Sequence, residues 1–68
     1  MTRKDYILIA ATIATARRTI QGSGCDAKSI SNALAGASTV AKELAINLSV
    51  DNARFDRARF LAACGVTS

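Results

Sequence analysis

The chain has 68 residues, half of them apolar, a net charge of +4, and neither histidine nor proline. That length allows one domain, residues 1–68, burying only about 60% of its unfolded surface. Without histidine no Ser–His or Cys–His nucleophile can be assembled.

A core this small needs a staple: disulfides, a metal or a second copy of the chain. Two cysteines, Cys25 and Cys64, make no disulfide framework and no metal-ligand spacing. We therefore expect no metal and no cofactor, and a homo-oligomer, most simply a dimer. The longest apolar stretch, Tyr6 to Ala11, falls far short of the roughly 20 residues a bilayer span requires. The basic start Arg3-Lys4 before an apolar run imitates a signal peptide, but Asp5 interrupts the basic region, and Thr12 and Thr15 dilute the apolar one. The expected location is the cytoplasm, with no membrane partner.

The first predicted helix covers residues 3–20. Thr2 suits its N-cap, and Asp5 three residues on can complete a capping box. Asp5 also lies at the end of the helix dipole that favours negative charge, and Arg17 and Arg18 at the end that favours positive charge. Tyr6, Ile9, Ile13, Ala16 and Ile20 recur at 3, 4, 3, 4 and form one apolar face. Ile7, Ala10 and Ala14 widen it, while Leu8 falls outside and is left for a second surface. Gly22-Ser23-Gly24 ends the helix, glycine accepting the left-handed backbone such an ending requires.

Asp26 caps a second helix over 27–48. Ile30, Leu34, Ala37, Ala41, Leu44 and Leu48 form an a/d seam sustained for nearly three heptads, the expected oligomer contact. The stretch Ala33 to Ser38 is very small, and Gly36 costs about 1 kcal/mol of helix propensity. It reads either as a place where another helix crosses closely or as a hinge.

Asp51-Asn52 marks a turn, and a third helix covers 57–64. Asp56 is its N-cap. Phe55 before the cap and Phe60 in the first turn form a hydrophobic staple, and Gly65 with Val66 marks a Schellman ending. The expected fold is all-α: an antiparallel hairpin with a short third helix, pairing into a dimeric bundle.

The acids are mostly caps and turns, and no phosphate-binding glycine loop is present, so we do not expect an enzyme. Cys25, just before a helix N-cap, reads as a reactive thiol or as a plain loop residue. Cys64 between alanines reads as core. Arg54, Arg57 and Arg59 crowd the start of the third helix, and Arg17 and Arg18 lie near the hairpin turn. These five are candidate partner-binding residues, because arginine suits carboxylates and phosphates. Solvated surface, a protein partner and nucleic acid all account for such a cluster.

The opening Met1-Thr2-Arg3-Lys4-Asp5-Tyr6-Ile7-Leu8-Ile9-Ala10 and the closing Phe55-Asp56-Arg57-Ala58-Arg59-Phe60-Leu61-Ala62-Ala63-Cys64-Gly65 resemble short, uncharacterised proteins of tailed bacteriophages and prophages. The resemblance covers about a third of the chain, at its two ends, and carries over no site residues. It implies a context, action in the bacterial host cytoplasm during phage growth; binding of a host or phage protein is expected by analogy. Inhibition of a host or defence component, such as a CRISPR complex, is the corresponding expectation by analogy. A nucleic-acid-binding regulator is the alternative, and a virion or assembly part a third reading.

Overall fold

A computed structural model describes residues 2–66. It has three helices, α1 (Arg3–Gln21), α2 (Ala27–Asp51) and α3 (Arg57–Cys64), and each packs against the other two. The chain is therefore all-helical, as its periodicities predict.

The caps act where the residues place them. The Thr2 backbone N–H donates to Asp5 Oδ2 at 3.0 Å, opening α1. Asp26 Oδ1 accepts from the Ser29 N–H at 2.7 Å, opening α2. The Ser29 backbone bond, reinforced by the Ser29 hydroxyl, holds the exposed Asp26 carboxyl below its ordinary pKa. Asp56 Oδ1 accepts from the Arg59 N–H at 3.0 Å, and the Phe55 and Phe60 rings meet at 5.3 Å, completing the staple of α3. Gly65 is left-handed at φ 81°. Its N–H donates to Ala62 O, and that of Val66 to Leu61 O at 2.9 Å, the paired bonds of a Schellman ending.

Two boundaries differ from expectation. Helix α2 continues through Ser49, Val50 and Asp51, until extended Asn52 stops it, its N–H returning to Leu48 O at 2.9 Å. Helix α1 ends on Gly22 at φ −92°, and the left-handed glycine is Gly24, out in the loop.

Helix α3 lies along the open half of the hairpin and makes the core there. Ala10, Ala41 and Ala45 let the helices approach closely, and Leu48, Phe60, Cys64 and Val66 fill the space between them. The position of α3 turns the inward face of α1. Ala10 is buried and Ala16 is exposed, a correction to the predicted stripe, and Arg17 is half-buried between the helices. The α2 seam likewise faces inward. Ala41 and Leu48 are buried within the single chain, along with Ala45, while Ile30, Leu34, Ala37 and Leu44 are half-buried. At Gly36 the expected close crossing does not occur inside the chain. A Cβ there would meet nothing within 4 Å, and α2 runs through it as continuous helix.

The far end of the hairpin extends beyond α3 as two helices only. Every residue from 21 to 29 is exposed. The radius of gyration is 12.6 Å, against about 11 Å for a compact chain of this length.

Candidate functional site

The antiparallel hairpin brings the start of α1 against the end of α2, and the loop into α3 closes over the junction. Asn52 organises that loop. Its Oδ1 accepts from the Arg54 N–H at 3.1 Å, its carbonyl accepts from the Phe55 N–H at 3.0 Å, and its Nδ2 reaches the Tyr6 hydroxyl at 3.5 Å. This turn projects Arg54 outward and directs Phe55 inward. The Phe55 ring then sits edge-on to Tyr6, centroids 4.8 Å apart, and tilted against Phe60.

Beside this aromatic stack lies an open notch of about 600 Å³. Tyr6, Phe55 and Phe60, with Ile7, Ala10 and Ala63, provide its apolar lining. Arg3 from α1, Arg54 from the loop and Arg59 from α3 rim it, with Asn52 and Asp56 as the other polar residues. Three cations thus face one carboxylate, and that carboxylate already accepts the α3 cap bond. Guanidinium groups beside an aromatic floor suit a carboxylate or phosphate attached to an apolar body. Arginine and aromatic residues are also the side chains that most often dominate protein interfaces.

The five arginines picked from the sequence therefore separate. Arg54 and Arg59 line the notch, and Arg57 is exposed beside it. Arg18 lies at the other end of α1, its Nη2 donating to Thr15 Oγ1 at 3.2 Å. Arg17 is engaged inside the fold, its Nη1 donating to Leu34 O at 3.3 Å and to Ser38 Oγ at 2.6 Å. Arg3, Tyr6 and Phe55 join the site without having been singled out for it. Only the hairpin closure that places residue 6 beside residue 52 reveals them.

The two thiols differ. Cys64 is fully buried, and desolvation raises its pKa, an effect the nearby Arg17 charge partly offsets. Cys25 is exposed in the hairpin loop, its N–H donating to Ser23 Oγ at 3.4 Å. Among the described residues no three His, Cys, Asp or Glu side chains form a metal-holding group, and no helix is long and apolar enough to cross a membrane. In comparisons with known proteins, no family model, no curated protein and no solved structure matches the chain.

Proposed function

We propose that this protein acts by binding another protein, and that the notch takes an acidic segment of that partner. The observation carrying this reading is the convergence of Arg3, Arg54 and Arg59, from three separate elements, on one floor of Tyr6, Phe55 and Phe60. Carboxylates of the partner pair with the rim, and an apolar side chain between them lies on the rings. The phage-like ends of the chain suggest the setting: the cytoplasm of a bacterial cell, with a host or defence component as the protein bound and inhibited.

Nucleic acid is the second reading, favoured by the +4 charge and by Arg57 exposed beside the notch. It predicts binding to DNA or RNA that falls steeply with salt, as phosphate contacts release counterions. Affinity capture from bacterial lysate separates the two. Protein binding predicts a protein recovered by the wild type, resistant to nuclease, and lost with Arg54→Glu plus Arg59→Glu. Recovery of nucleic acid alone, or of the same proteins by both forms, contradicts it.

A further inference from the structure

The buried residues all belong to the α3 end of the molecule, and from Ala11 to Val40 no residue is buried. That stretch is the outer half of the hairpin: the second half of α1, the loop and the first half of α2. Its apolar side chains nearest the loop, Ile20, Ile30 and Leu34, are half-buried and do not join the core. The same part of α2 carries Ser29, Ser31, Asn32, Gly36, Ser38 and Thr39, all weak helix formers. Most helical stability in proteins comes from packing, so this half is held by little of either kind.

One turn of α2 is weaker than its neighbours. Gly36 lies within continuous helix with open space where a Cβ would stand, so the missing side chain costs helix stability and gains no packing within the chain. Beside it Thr39 Oγ1 donates to Ala35 O at 3.0 Å, a bond back along the helix of the kind that loosens and bends it. Arg17 spans this turn from α1. Its Nη1 donates to Leu34 O before Gly36 and to Ser38 Oγ after it. Arg17 in turn is seated against the α3 end, its Nε 3.6 Å from where a Cβ on Gly65 would stand.

We propose that the turn around Gly36 is a hinge, that residues 18–36 open as a unit, and that Arg17 is the clamp holding this arm shut. The residues lining the notch lie at 3–10 and 52–63, outside the arm, so opening leaves the notch formed. Opening frees the Arg17 guanidinium and the inner sides of Ile20, Ile30 and Leu34, which the closed chain partly withholds from solvent. A fixed binding end thus carries an arm that rearranges while the notch is occupied. Elements that move are drawn from the least stable part of a fold, and here that part is set off by a glycine turn and one side chain. This inference does not depend on what the notch binds.

The test is native-state hydrogen exchange of the full chain, read amide by amide by nuclear magnetic resonance. Relative to their intrinsic rates, amides 31–36 are expected to exchange at least roughly a hundredfold faster than amides 43–48, with a much weaker dependence on added urea. Gly36→Ala is expected to slow exchange at 31–36 about fivefold. Arg17→Met is expected to speed it about tenfold. Leu61→Ala trims a half-buried side chain at the α3 end, and is expected to speed exchange at 43–48 and leave 31–36 unchanged. Equal protection of the two segments with one urea dependence overturns the proposal, because the chain then opens only as a whole. So does Leu61→Ala speeding both segments alike, or Gly36→Ala leaving 31–36 unchanged.

Discussion

Arg17 looks like a surface residue in the sequence and acts as a pin in the structure, which makes its removal informative. Arg17→Met keeps an apolar stem and removes the guanidinium. Of the two bonds lost, the one to Leu34 O at 3.3 Å goes to a carbonyl that also serves the α2 ladder, so little is left unsatisfied. The bond to Ser38 Oγ at 2.6 Å carries most of the effect. A hydrogen bond to a charged group contributes about 1.5–3 kcal/mol when well buried. Arg17 is only half-buried, and solvent screening brings the expected loss to about 1.5 kcal/mol. In a domain this small that lowers Tm by roughly 6–12 °C. Ser38→Ala should lose about 1 kcal/mol, and the double variant little more than Arg17→Met alone, for a coupling of about 1 kcal/mol. Thermal unfolding followed by circular dichroism, at one fixed protein concentration, measures all four corners of the cycle. A Tm for Arg17→Met within 2 °C of wild type, or additivity within about 0.3 kcal/mol, refutes the reasoning. Arg17→Met should also leave partner capture unchanged, since Arg17 lies away from the notch.

Phe60→Ala removes the largest buried side chain at the α3 junction and should cost about 3–5 kcal/mol. A chain of this length has only about 3–10 kcal/mol in total, so urea titration should find this variant largely unfolded or nearly so. Gly65→Ala places a side chain at φ 81°, beside Arg17 Nε, and should destabilise by about 1–2 kcal/mol, read as a lower urea midpoint. Asp26 has a depressed pKa when folded, so its cap is fully effective above the ordinary carboxylate range and is lost as pH falls through the lower folded value. Asp26→Asn should therefore lower Tm at neutral pH, with the gap to wild type closing in acid.

Local signals were legible residue by residue. Every feature of α3, from the Asp56 cap through the Phe55–Phe60 staple to the Gly65 ending, is a contact within ten residues of sequence, and each forms as expected. The faces of the long helices were legible only as faces. Heptad spacing over Ile30 to Leu48 says that a side is covered but not by what, and here α1 and α3 of the same chain cover much of it. Ala16 and Arg17 exchange expected environments for the same reason: the docking of α3, a long-range event, decides which flank of α1 turns inward. The notch was half legible. Arg54 and Arg59 stand out as cations beside a cap, but Arg3 and Tyr6 join them only through the antiparallel closure of the hairpin.

The central claim is that the notch holds a protein segment, and crosslinking from inside it tests this most directly. A photo-crosslinking residue at Ala63, exposed on the notch lining, is compared with one at Ala35, exposed on the outer side of α2. After irradiation in bacterial cells, mass spectrometry should find Ala63 joined to one acidic segment of a single protein, an adduct absent from Ala35 and lost with Arg54→Glu plus Arg59→Glu. Adducts to nucleic acid, or the same protein adducts from both positions, would contradict the account.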